Sequence, residues 1–85
     1  MKLLVIGSLN IDLVMKTDVV PKRGETVFGN GFSIVCGGKG GNQAIVASKL
    51  GAEVKMIGSV GNDIFGEKLV SNLKENNIGT QGIQI

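Results

Sequence analysis

The stretch that decides the fold is Gly37-Gly38-Lys39-Gly40-Gly41-Asn42-Gln43-Ala44. Four of the chain's 14 glycines fall within it, although glycine makes up only about 7% of residues in average proteins. The stretch lies between a predicted strand and a predicted helix. Backbone N–H groups at a helix N-terminus lack partners and lie at the positive end of the helix dipole, so they favour oxygen-rich ligands. The glycine cluster is therefore the first candidate site.

The cluster does not match the two common phosphate-binding loops. A Walker A loop needs Ser or Thr after its lysine, but Lys39 is followed by Gly40. The fingerprint Gly-x-Gly-x-x-Gly, if begun at Gly38, needs a glycine at the position of Gln43. Nucleotide binding through these motifs is excluded. A turn that only lets a helix pack closely on a strand remains an open alternative for the glycines.

The segments around the cluster predict an α/β fold with a parallel sheet. Short apolar runs predict buried strands, and apolar residues spaced three or four apart predict helices. The predicted strands are residues 2–7 and 54–58, with a weaker one at 80–85, and the predicted helices are residues 42–50 and 65–76. Gly51 stands where a helix-terminating glycine belongs, and an Asn or Asp precedes the second helix. The two helices leave one sheet face partly covered, as expected for a piece of something larger.

Residues 12–36 predict a small antiparallel insertion. Residues 9–14 alternate with a period of two, which places the side chains of Asn10 and Asp12 on one face. Pro21 and Gly24 predict a turn. Residues 25–28 and 32–36 predict two short strands, and the intervening Gly29-Asn30-Gly31 predicts a hairpin connection between them.

The composition excludes several other classes of protein. With 42% hydrophobic and 19% charged residues the chain is not intrinsically disordered, and no apolar run reaches the roughly 18 residues of a membrane span. One cysteine and no histidine exclude an internal disulfide, a zinc site and a His-activated nucleophile. A net charge of +2 without a basic stripe gives nucleic-acid binding little support. We expect a cytoplasmic protein with no membrane or nucleic-acid partner.

Three motifs follow one another in an order that a known family shares. They are the stretch from Gly37 to Ala44, Asn10-x-Asp12 after the first strand, and Pro21-x-x-Gly24-Glu25-Thr26. Together they resemble the N-terminal part of the ribokinase-like carbohydrate kinases, the PfkB family, and within it the ribokinase branch. The resemblance covers the whole chain but only the first quarter to third of a family member. It implies a fragment of a three-layer α/β/α fold, with core residues 1–11 and 37–85 and a small β-sheet lid at residues 12–36.

The resemblance assigns six residues to a sugar substrate, with D-ribose the expected one. They are Asn10, Asp12, Gly37, Gly38, Lys39 and Asn42. A pentose presents hydroxyls that both donate and accept hydrogen bonds, so a carboxylate beside amides suits it. From the residues alone, an Asx turn that closes the strand remains an equal alternative for Asn10 and Asp12. For Lys39 the alternative is a solvated charge, which is less favoured here than for most lysines because four glycines surround it.

The resemblance also implies cofactors and a partner. The family uses ATP, Mg²⁺ and a monovalent cation (K⁺) to phosphorylate the sugar. Its catalytic aspartate lies in a Gly-Ala-Gly-Asp type motif, which this sequence lacks, so we expect catalysis and cofactor binding outside this chain and no activity from the chain alone. The lid implies a homodimer. The alternatives are another sugar or nucleoside kinase of the family, or a non-catalytic dimerisation module formed by the lid.

Overall fold

A computed structural model describes residues 1–85, which form five strands and two helices in two sheets. In chain order they are β1 (Lys2–Ile6), β2 (Asn10–Lys16), β3 (Gly31–Gly37), α1 (Lys39–Lys49), β4 (Glu53–Ser59), α2 (Ile64–Glu75) and β5 (Gly79–Gln84). One sheet has the order β1-β4-β5 with all strands parallel, and the other is the antiparallel pair β2-β3. The predicted α/β class, the parallel sheet with helices and the small second sheet are confirmed.

Both helices pack on the same face of the parallel sheet. Central strand β4 buries Val54 and Met56 against Ala44 of α1 and Leu73 of α2, and Ile78 completes this core. The opposite face of the sheet has no cover, so apolar side chains of β1 and β4 are exposed on it. The prediction of a buried strand at residues 2–7 is therefore wrong in its burial, because β1 is an edge strand with a helix on one face only and most of its residues are exposed.

Helix α1 starts earlier than the sequence predicts and ends where it predicts. It begins at Lys39 rather than at residue 42, because the buried glycines Gly40 and Gly41 pack directly on the end of β1, which offsets their low helix propensity of about 1 kcal/mol each. At the other end Gly51 adopts a φ of 98°. Its N–H donates to the Ser48 carbonyl, and the N–H of Ala52 donates to the Ala47 carbonyl, which is the Schellman pattern.

Helix α2 confirms its predicted cap and apolar face. The Asp63 carboxylate accepts a 2.8 Å hydrogen bond from the N–H of Gly66, so one unpartnered donor of the first turn is satisfied. Leu69 and Leu73, four residues apart, are both buried. The weak strand expected near the end of the chain is also present, as β5.

The second sheet corrects the predicted hairpin. Residues 25–28 form no strand, and β3 pairs instead with β2, from Asn10 opposite Gly37 to Lys16 opposite Gly31. This ladder has seven residue pairs, more than a hairpin at residues 29–31 could form, so the longer pairing prevails over the local Asn-Gly turn signal. The turn predicted at residues 21–24 does form, and Glu25 N–H donates to the Lys22 carbonyl at its end.

Candidate functional site

The carboxyl ends of the three parallel strands surround an open cavity of about 530 Å³. It is lined by Ile6, Gly7, Ser8, Leu9, Asn10, Ile57, Gly58, Ser59, Gly82 and Gln84. In open α/β sheets, ligands bind outside the carboxyl ends of the strands, so the cavity lies where a ligand is expected. Of the six predicted site residues, Asn10 alone lines it.

Strand β2 brings Asn10 and Asp12 together with the end of β3. The two side chains share one face of β2, and Asn10 is paired directly with Gly37. A β-carbon built on Gly37 would lie 2.7 Å from Oδ2 of Asp12, so the carboxylate sits directly against this glycine. Asp12 and Asn10 are both exposed, and their polar atoms are open to solvent or a ligand. Three of the predicted residues therefore form one polar patch.

Gly38 joins the same patch from the beginning of α1. Its φ of 95° is a left-handed value that favours glycine, and it is the N-cap of the helix. A β-carbon there would lie 2.7 Å from the Ser8 carbonyl oxygen and 3.0 Å from the Asn10 nitrogen. A larger residue at this position would push the helix away from the strand segment that carries Asn10.

The first turn of α1 adds positive electrostatic character to the patch. It contains no acidic residue, and it carries the exposed Lys39. The N–H of Gly41 donates to the Ser8 carbonyl over 3.0 Å, which ties this turn to the end of β1. The positive end of the helix dipole therefore lies beside Asn10 and Asp12, in a position suited to oxygen-rich ligands.

Lys39 and Asn42 are close to this region along the helix but do not line the cavity at the strand ends. Asn42 is exposed and lines a separate shallow groove of α1 with Gln43, Val46, Ala47 and Leu50. The structure thus brings Asn10, Asp12, Gly37 and Gly38 together. It places Asn42 apart from them, in the groove of α1.

Three polar residues of the cavity were missed by the sequence analysis: Ser8, Ser59 and Gln84. Each lies at or just beyond the carboxyl end of a parallel strand. A signal existed, because polar residues at the ends of predicted parallel strands share one sheet edge. Their hydroxyl and amide groups can donate and accept hydrogen bonds, so they extend the polar lining.

The residues that line the strand-end cavity do not fit a magnesium site. The side chains that line the strand-end cavity are all uncharged, so no carboxylate there can hold a magnesium ion. No group of three or more His, Cys, Asp or Glu side chains is placed to hold a metal ion.

Neither helix has the length and apolar character required to cross a membrane.

Comparison with known proteins identifies relatives over the whole chain. The model of the pfkB family of carbohydrate kinases matches residues 1–85 of this chain. Ribokinase of Lactococcus lactis is 53% identical over 85 residues, covering 93% of this chain and 28% of that protein. Ribokinase of Bacillus subtilis is 53% identical over 76 residues, covering 89% of this chain and 26% of that protein. Deoxyribokinase of Salmonella typhi is 44% identical over 84 residues, covering 99% of this chain and 28% of that protein.

Solved structures give the same result for the fold. Ribokinase from Giardia lamblia superposes with a TM-score of 0.86 at 36% identity, covering 99% of this chain and 26% of that one. Ribokinase from Arabidopsis thaliana, complexed with ribose and ATP, superposes with a TM-score of 0.80 at 30% identity. The match covers 95% of this chain and 27% of that one. The chain therefore spans about a quarter of the length of the relatives it matches.

Proposed function

The chain belongs to the pfkB family of carbohydrate kinases, and from that premise we propose that it is the sugar-binding N-terminal part of a ribokinase. The complete enzyme would transfer the γ-phosphoryl group of ATP to the 5-hydroxyl of D-ribose. Residues 1–85 would supply sugar contacts and the lid, and the remainder of the enzyme would supply the catalytic base and the ATP site. The solved relatives with ATP or ADP bound support the choice of nucleotide.

The observation that carries this proposal is the polar patch formed by Asn10, Asp12, Gly37 and Gly38. The Asp12 carboxylate can accept bonds from two sugar hydroxyls, and the Asn10 amide can both donate and accept. Neither glycine has a side chain to block a ring that approaches these groups. A polyol is therefore a better match for the patch than an apolar or anionic ligand.

The sheet formed by β2 and β3 suits a lid over this sugar. Asn10 and Asp12 lie on one of its faces, so a sugar bound to them would be covered by the sheet. Exclusion of water favours phosphoryl transfer to the sugar, because water is a competing acceptor. The chain's own contribution is thus to bind and orient the sugar and to keep water away.

The test uses a hybrid kinase, in which residues 1–85 of this chain replace the matching segment of Bacillus subtilis ribokinase. We expect the hybrid to release ADP in a ribose-dependent manner, measured by a coupled assay in a host strain without its own ribokinase. The unmodified Bacillus enzyme is the control for assay and expression. A folded hybrid that releases no ADP with any sugar would contradict the proposal.

A second candidate substrate is 2-deoxyribose, because a deoxyribokinase is 44% identical to this chain. The two sugars differ by one hydroxyl, and a site that hydrogen-bonds that hydroxyl discriminates strongly against the sugar without it. The ratio of kcat/KM for ribose and 2-deoxyribose in the hybrid decides between them. A ratio well above one supports ribose, and a ratio below one assigns the chain to a deoxyribokinase.

The lid also supports the proposal that the full protein is a homodimer. The face of the β2-β3 sheet opposite Asn10 and Asp12 is apolar throughout, and it consists of Ile11, Leu13, Met15, Phe32, Ile34 and Cys36. Leu13 and Phe32 remain 58% and 57% exposed. A two-stranded sheet is only marginally stable in water, so an apolar face of this kind is stabilised by a partner. The same face of a second copy is the occupant that we propose.

A further inference from the structure

The polar patch is assembled from two separate segments of the chain. One is the end of β1 with the start of β2, which carries Asn10 and Asp12, and the other is the first turn of α1. These segments meet at two glycines, Gly7 and Gly40. A β-carbon built on Gly40 would lie 2.8 Å from both the Cα and the carbonyl carbon of Gly7 and 2.8 Å from the nitrogen of Ser8.

The contact is one of backbone against backbone. A β-carbon built on Gly7 would lie 3.0 Å from the Cα of Gly40, so the approach is tight from both sides. The atoms involved belong to the main chain, and a clash there cannot be relieved by rotating a side chain. Any residue other than glycine at either position must therefore move α1 relative to the end of β1.

Such a movement would change the proposed sugar site directly. Asn10 lies three residues after Gly7, and Lys39 and Asn42 lie one and two residues from Gly40. Gly41 is also bonded to the Ser8 carbonyl at 3.0 Å, so the two segments are joined at this point. A change in the distance between Gly7 and Gly40 would therefore change the distance between Asn10 and the first turn of α1.

We propose that Gly7 and Gly40 act as positioning residues that set the distance between the Asn10–Asp12 segment and the N-terminus of α1, and thereby the affinity for the sugar. This inference rests on the proposed function, because it concerns the same site. The competing explanation is that the two glycines serve only the packing of α1 on the sheet. In that case substitution lowers stability without changing how the folded enzyme binds sugar.

The test places Gly7→Ala and Gly40→Ala separately in the hybrid kinase. We expect Gly40→Ala to raise the ribose KM by about tenfold or more, because small displacements of positioned groups cost up to about a hundredfold in enzymes. A β-carbon on Gly7 would lie 3.0 Å from the Cα of Gly40, which is a less severe clash. Gly7→Ala should therefore raise the ribose KM less, by about threefold. The ATP KM should stay unchanged in both variants.

The matched control is Gly66→Ala, in the first turn of α2. A β-carbon there would also collide with the backbone, but its nearest atoms all belong to Gly61, which is not part of the patch. Gly66→Ala should lower Tm and leave the ribose KM unchanged. If the folded Gly7→Ala and Gly40→Ala variants also keep the ribose KM and lose only Tm, the inference is overturned.

Two further outcomes are decisive. If Gly40→Ala does not fold, Gly7→Ala decides alone, and an unchanged ribose KM in that variant overturns the inference. If the unsubstituted hybrid phosphorylates no sugar, the proposed function fails and the inference fails with it. An active hybrid whose variants keep their KM contradicts only the role of the glycines, so the two failures are distinguishable.

Discussion

Asp12 offers a sugar the strongest hydrogen bonds of any residue in the patch. In the hybrid kinase, Asp12→Ala should raise the ribose KM by roughly ten- to a hundredfold, because bonds to a charged group contribute about 1.5–3 kcal/mol and each 1.4 kcal/mol corresponds to a factor of ten. The turnover number should fall as well, because a misplaced 5-hydroxyl no longer faces the catalytic base. Steady-state kinetics with varied ribose and varied ATP measure both effects.

Asp18 provides the matched control for Asp12. It is an exposed carboxylate in the connection between β2 and β3, so Asp18→Ala removes the same charge away from the patch and should leave ribose kinetics unchanged. Asn42 is uncharged and lies in a separate groove, so Asn42→Ala should change the ribose KM less than Asp12→Ala does. If Asp12→Ala lowers thermal stability and leaves the ribose KM intact, the Asx-turn explanation of this residue is correct.

Single residues also show what the sequence could reveal about the site. The shared face of Asn10 and Asp12 could be predicted, because a two-residue period is a local feature. The sequence indicates that Ser59 and Gln84 lie at the carboxyl edge of the sheet, but their proximity to Asn10 depends on the strand order β1-β4-β5. The exposed position of Asn42 depends on where α1 begins, three residues before the predicted start.

The β2-β3 sheet has two chemically different faces, and this permits a test of dimerisation. Ile34 lies on the apolar face with 39% exposure, and Val14 lies on the opposite face with 41% exposure. Ile34→Glu should convert the hybrid kinase from dimer to monomer in sedimentation velocity, because a buried unpaired charge is strongly unfavourable at an apolar interface. Val14→Glu introduces the same charge on the other face.

The dimer should persist in Val14→Glu, which makes that variant the control for charge and stability. A monomeric hybrid without any substitution would contradict a homodimer through the lid. A dimer that survives Ile34→Glu would place the interface elsewhere. Val27 is half-buried and lies outside both strands, so it is less informative than Ile34 for this purpose.

The elements differ in how far the sequence determines them. Helix α2 follows directly from its Asp63 cap and its apolar spacing, because both signals are local. The hairpin predicted at residues 29–31 failed, because the better partner of β3 lies 15 or more residues earlier in the chain and forms a longer ladder. Local turn chemistry therefore located the end of the connection but not the strand that pairs.

At the scale of the whole molecule, the 85 residues are less compact than a typical domain. The radius of gyration is 15.7 Å, compared with about 12 Å for a compact chain of this length. The accessible area is 6280 Å², whereas a compact monomer of 8.8 kDa exposes about 4,800 Å². The excess arises from the projecting β2-β3 sheet and from the uncovered face of the parallel sheet. Both are surfaces that longer family members can cover.

The isolated chain should therefore unfold with weak cooperativity. Its unfolded form exposes about 12,800 Å², so folding buries about a fifth less area than it would in a compact domain of equal mass. The urea m-value scales with that area and should be lower by a similar fraction, measured by far-UV circular dichroism. Because the chain lacks the family's catalytic motif, the same sample should release no ADP with ribose and ATP, whereas the hybrid kinase should. An m-value typical of compact domains, or turnover in a preparation free of host kinase, would show that residues 1–85 form a self-sufficient unit.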